Sequence, residues 1–138
     1  MIKIVIDTNI FVSALLFDGK PEIIINLISN KEIQGFVSPY ILFEVKDVFV
    51  KKFSWDKERI ERLEKLIRED FIVIYPKISL NLIKTYPIDN HILECAVEVN
   101  ADFLITGDRK HILKLKKVKK TYIVTAEEFL KYFNTLKH

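Results

Sequence analysis

Three observations in the sequence predict an α/β protein of three layers, with a five-stranded parallel sheet between helices. Short aliphatic runs alternate with helix-length segments along the whole chain. The first run, Ile2 to Ile6, is broken only by Lys3, and so continuous a β-branched stretch suits a strand covered on both faces. Several helix-length segments open on a capping residue.

Taken in order, the first strand ends on Asp7-Thr8-Asn9, and NIFVSALLF then reads as a short helix closed by Asp18-Gly19-Lys20. Pro21 takes the first-turn position of a second helix running to about Ser29. Gln34 to Val37 is a short strand, and Ser38-Pro39 supplies a cap followed by proline, opening a helix through about Lys52. Over residues 56–70, Glu58 and Arg62, Glu61 and Lys65, and Glu64 and Arg68 stand four apart, while Ile60, Leu63 and Ile67 make one apolar stripe. That helix covers the surface. Phe71 to Tyr75 is a strand stopped by Pro76. Pro87 leads to Asp89, which begins an amphipathic helix through about Val99, and Asn100-Ala101-Asp102 turns the chain into the strand Phe103 to Thr106. Gly107-Asp108 ends that strand. Tyr122 to Val124 is the last strand, and Thr125-Ala126-Glu127-Glu128 is a capping box opening the C-terminal helix.

At 138 residues and 49% hydrophobic, the chain has the length and apolar content of one domain spanning residues 1–138. No apolar run approaches the roughly 20 residues of a membrane span, no signal-peptide pattern opens the sequence, and the single cysteine, Cys95, allows no internal disulfide. A cytoplasmic protein is the expectation. The net charge of +3 is unevenly spread: RKHILKLKKVKK, residues 109–120, holds seven Lys and Arg and no acid, so the remainder is net acidic. Such a run is commonly a solvated face, and no aromatic residues interleave it; it is also what a phosphate backbone would seek. Abundant Lys, Glu and Ile with only three glycines points towards a thermophile.

Four acids occupy comparable places: Asp7 and Asp108 after strands, Asp89 at a helix start, and Glu44 beside the apolar stripe of its helix. The rim where strands of an open α/β sheet end is where ligands bind. Singly, each has a bland duty: a cap for Asp7 and Asp89, a turn for Asp108, a solvated edge for Glu44. Converging carboxylates repel one another unless a cation of hard-oxygen preference neutralises them.

IVIDTNIFVSALL, SPYILFEV, PIDNHILECA and ADFLITGDRKHIL, in that order and spacing, resemble the PIN domain nucleases, in particular the stand-alone toxins of VapC-type toxin–antitoxin systems. The likeness reaches the terminal VTAEEFLKYF. It implies strand order 3-2-1-4-5, with Asp7 and Asp108 leaving neighbouring strands where the winding reverses. It also implies that Asp7, Glu44, Asp89 and Asp108 are the catalytic quartet holding one or two Mg2+ or Mn2+ ions, with Thr8, Asn9, Ser38 and Thr106 as supporting polar residues. An endonuclease of single-stranded RNA follows, with a small antitoxin protein and a second copy of the chain as partners.

A phosphatase or receiver-like protein would need an acid two positions after Asp7, where this chain has Asn9. A PIN-fold module that only binds RNA or a partner would usually have lost an acid, and all four are present. Glu94 and Glu98 read as surface residues, Asp102 as a turn residue, and Trp55 and the phenylalanines as core. His91, His111 and His138 show no metal-ligand spacing with one another or with Cys95 and receive no role.

Overall fold

The computed structural model describes residues 1–136; His138 lies outside the described residues. Six strands, β1 (Lys3–Ile6), β2 (Gln34–Val37), β3 (Ile72–Val73), β4 (Phe103–Ile105), β5 (Lys117–Val118) and β6 (Thr121–Val124), form one sheet in the order β3-β2-β1-β4-β6-β5. The helices are α1 (Thr8–Leu16), α2 (Lys20–Ser29), α3 (Pro39–Phe53), α4 (Lys57–Asp70), α5 (Asn90–Glu98) and α6 (Ala126–Leu136). Five strands are parallel and keep the predicted order. The sixth, β5, corrects the five-stranded expectation: it pairs antiparallel with β6, Lys117 opposite Tyr122 and Val118 opposite Thr121. A two-residue strand inside a lysine-rich run has too few apolar positions to show an alternation.

Ile4, Val5 and Ile6 are all fully buried. Successive strand residues point to opposite faces, so burial of all three means that helices cover both. Phe11 of α1, Phe49 of α3 and Phe129 of α6 are the largest fully buried side chains. Gly35 marks a close approach in β2, because a Cβ there would stand 2.7 Å from the Phe71 ring and 2.9 Å from Ile28 Cδ1. At the edge of the core, Trp55 is half-buried, stacks on Phe49 with ring centroids 4.2 Å apart and carries the Arg59 guanidinium at 3.9 Å. Phe17, Phe43 and Phe53 are exposed, against the reading of every phenylalanine as core.

Winding reverses between β1 and β4. Strands β1 and β4 run side by side, Ile6 beside Ile105, and the Asp7 backbone N–H donates to Ile105 O at 3.1 Å. The residues leaving both strands therefore emerge together. At the opposite end of the sheet Asp102 acts as the predicted turn residue, accepting from the Lys3 backbone N–H at 2.8 Å.

Candidate metal-binding cleft

Asp7 ends β1 and caps α1. Its Oδ1 accepts from the Ile10 backbone N–H at 3.0 Å, and its Oδ2 accepts from the Thr106 hydroxyl. The hydroxyl of Thr106 also accepts from the Asp108 backbone N–H at 3.0 Å, so one buried threonine ties the two strand ends together. Asp7 is only 3% exposed. Burial pushes its carboxyl up to about 6 against the pull of the Thr106 and Ile10 hydrogen bonds, and the Asp108 and Glu44 charges add to the rise.

Glu44 reaches the same place from α3. Thr8 Oγ1 donates to its Oε1 at 2.5 Å and the Tyr40 hydroxyl to its Oε2 at 2.9 Å. Burial, together with the adjacent Glu44 carboxylate, holds that Tyr40 hydroxyl protonated well above its usual range.

Asp89 sits where a 3-10 turn, Pro87–Asp89, passes into α5, but among the described residues its side chain makes no capping hydrogen bond to that helix. The capping explanation therefore fails for Asp89. Its neighbour Asn90 fixes the turn instead, accepting from the Leu82 and Ile83 backbone N–H groups at 3.0 and 2.9 Å and donating to Ile83 O and Pro87 O, both at 2.9 Å. Asp89 Oδ2 is buried and has no hydrogen-bond partner among the described residues. Burial pushes the Asp89 carboxyl up to about 6; the Asp108 and Glu44 charges raise it further, while His111 pulls it down.

Asp108 closes its own turn. Its Oδ1 accepts from the Lys110 and His111 backbone N–H groups at 3.0 and 3.1 Å. That turn swings the His111 ring back, placing Nδ1 3.5 Å from Asp89 Oδ2 and 3.6 Å from Asp108 Oδ2. His111 also lies flat against Tyr86, with centroids 5.6 Å apart and planes at 14°. Asp89, Asp108 and His111 each offer one donor atom within 4.8 Å of the others.

All four acids, with Thr8 and Asn9, line one cleft of about 610 Å³. Thr106 lies behind Asp7, fully buried. Ser38 departs from expectation: its hydroxyl caps α3, accepting from Ile41 N–H at 3.3 Å, and borders a neighbouring hollow with Tyr40, Tyr75, His91 and Glu94. It follows β2, one strand away from the winding reversal. Glu94, expected on the surface, is 9% exposed; its carboxylate accepts from the Leu80 backbone N–H at 2.7 Å and contacts His91 Nδ1 at 3.0 Å. Glu98 accepts from the Lys77 N–H at 2.5 Å.

Two further residues are Lys52, in the cleft lining, and His111, beside Asp89 and Asp108. His111 carries a signal in its place three residues after Asp108, which a turn brings back onto the acid. Lys52 continues an i, i+4 ladder from Glu44 through Val48, and all three line the cleft. The basic run divides. Arg109 and Lys110 directly follow Asp108, whereas Lys119 and Lys120 turn the chain into β6 at the far end of the sheet, where Lys120 borders a hollow with Met1 and Asp102.

The donor set is mainly carboxylate, with one buried oxygen lacking a hydrogen-bond partner among the described residues and two carboxyls pushed up by burial and by the Asp108 and Glu44 charges; these features fit a hard divalent cation. Residues 3–110 match the family model described as PIN domain. The chain is also 31% identical over 144 residues to an uncharacterized protein of Methanocaldococcus jannaschii, an alignment covering 96% of this chain and 92% of the relative.

Proposed function

Because the chain belongs to the PIN domain family, whose members are typically metal-dependent nucleases, we propose that it is an endoribonuclease cutting single-stranded RNA in this cleft, using Mg2+ or Mn2+ held by Asp7, Glu44, Asp89 and Asp108. The observation that carries this reading is the buried Asp89 Oδ2, which has no hydrogen-bond partner among the described residues and meets His111 Nδ1 at 3.5 Å. An unmet buried carboxylate oxygen costs on the order of 1–3 kcal/mol or more, and a cation meets it.

Bound there, the cation would supply a water of lowered pKa and stabilise charge developing on the phosphate. The chain's own groups have separate tasks. Thr106 fixes the Asp7 and Asp108 ends against each other, and Thr8 with Tyr40 locks the Glu44 carboxylate. Lys52, on the cleft wall, holds the incoming phosphate, and exposed Asn9 meets the ribose-phosphate chain beside it. Ser38 acts only through the N-terminus of α3.

Residues 1–138 are taken as one such domain acting as the toxin of a toxin–antitoxin pair, and as a homodimer. Support for these three points is the motif likeness to VapC-type members. Among the described residues no helix is long and apolar enough to cross a membrane.

The test is cleavage of end-labelled single-stranded RNA, with duplex RNA and single-stranded DNA as controls. Cleavage should stop in EDTA and return with Mn2+ or Mg2+. Cutting that persists in the chelator would sink the metal mechanism, and equal cutting of DNA would sink the RNA assignment.

A further inference from the structure

Resting on the reading that the cleft holds a divalent cation, we infer that His111 supplies it with a nitrogen ligand, so that the site favours Mn2+ and Co2+ over Mg2+ more than carboxylates alone would.

The His111 Nδ1 separations of 3.5 and 3.6 Å from Asp89 Oδ2 and Asp108 Oδ2 exceed the roughly 2.7–3.2 Å of an N–H···O hydrogen bond. They are slightly wider than the about 3.0 to 3.4 Å between donors that each lie about 2.1 Å from one centre, so a small closing movement would let these atoms share an ion. Each partner atom is also the one left over. Asp108 Oδ1 is occupied by two backbone N–H groups, leaving Oδ2, and Asp89 Oδ2 has no hydrogen-bond partner among the described residues, His111 Nδ1 being its ion-pair contact. The ring is held in place from two sides: its backbone N–H binds Asp108 Oδ1, and Tyr86 lies flat against it. Magnesium keeps oxygen ligands and water, whereas imidazole suits the later divalent metals.

The rival account makes His111 a charged neighbour that offsets two carboxylates and touches no metal. Metal-stripped full-length protein separates the two. Melting temperature is followed against Mg2+, Mn2+ and Co2+ for wild type, His111→Ala and His111→Asp, and the visible absorption of bound Co2+ is recorded alongside. His111→Ala should weaken Mn2+ and Co2+ binding at least about tenfold while leaving Mg2+ binding nearly unchanged, and should alter the Co2+ spectrum. His111→Asp, which restores an oxygen donor, should regain affinity with the preference moved towards Mg2+. An unchanged ratio of Mn2+ to Mg2+ affinity in both variants, with an unchanged Co2+ spectrum, overturns the nitrogen ligand while leaving the metal site standing. No melting shift with any ion in folded wild type overturns the metal site itself, and this inference with it.

Discussion

Asp7 and Asp56 do the same local work. Each is the N-cap of its helix, with φ and ψ of −79° and 170° in one and −78° and 170° in the other, and each accepts from the backbone N–H three residues on, at 3.0 and 2.8 Å. The difference lies in what surrounds the second carboxylate oxygen. Asp56 stands exposed at the start of the surface helix α4, whereas Asp7 is buried at the winding reversal, with Thr106 on its Oδ2 and two further carboxylates near enough to raise its pKa. Capping and site chemistry are thus no alternatives at Asp7. One oxygen starts a helix and the environment decides the rest.

The sharpest way to break the comparison is activity. Asp7→Asn should lower RNA cleavage at least about a hundredfold, and Asp56→Asn should leave it unchanged; equal rates in the two variants would reduce Asp7 to a cap.

Stability against pH comes next. Asp7 has a folded pKa of about 6, above its ordinary 3.8, so the folded state binds the extra proton. The resulting stability is fully present below about pH 4, is lost as pH rises through 6, and stays lost above, a fall on the order of 3 kcal/mol from this group. Urea unfolding in EDTA should therefore show a wild-type curve that declines across this window, and Asp7→Asn should decline less and match or exceed wild type at pH 7. Asp89 shifts in the same direction, so part of the decline should remain. A difference curve that is flat between pH 4 and 7 would contradict the burial penalty.

A hundredfold excess of Mn2+ over its dissociation constant should add about 2.7 kcal/mol to wild type, much less to Asp7→Asn, and the full amount to Asp56→Asn, as read by melting curves at pH 7. The smallest effect belongs to the divided basic run. Replacing Arg109 and Lys110 with Gln should flatten the salt dependence of single-strand binding by about 0.7 per charge removed, whereas Lys119→Gln with Lys120→Gln should not change it.

The order of elements was legible because it is written in short-range chemistry: the Ile2 to Ile6 run, Ser38-Pro39, and the capping box at Thr125, where Thr125 N–H meets Glu128 Oε1 at 2.9 Å and Glu128 N–H meets Thr125 Oγ1 at 3.1 Å. What failed depended on distance. Strand β3 is only Ile72–Val73, shorter than the apolar run predicts, and stands at the sheet margin with β2 alone beside it. The burial of Glu94 comes from Leu80, fourteen residues away in a segment without regular structure. His111 shows no metal-ligand spacing with the other histidines or Cys95, and of the two aspartates beside it Asp89 arrives from a distant turn while Asp108 stands three residues before it. Likewise Ser38 matches a family position but points its hydroxyl into its own helix.

Both margins of the sheet are closed by strands of two residues, β3 at one side and β5 at the other. Such a stub offers an incoming chain little backbone to zip onto, and exposed Lys117 on β5 places a charge where a neighbouring strand would lie. Two copies of this chain would therefore find little sheet edge to share, and the sheet would not lengthen across a contact between them. Sheet growth is thus checked by strand length as well as by charge.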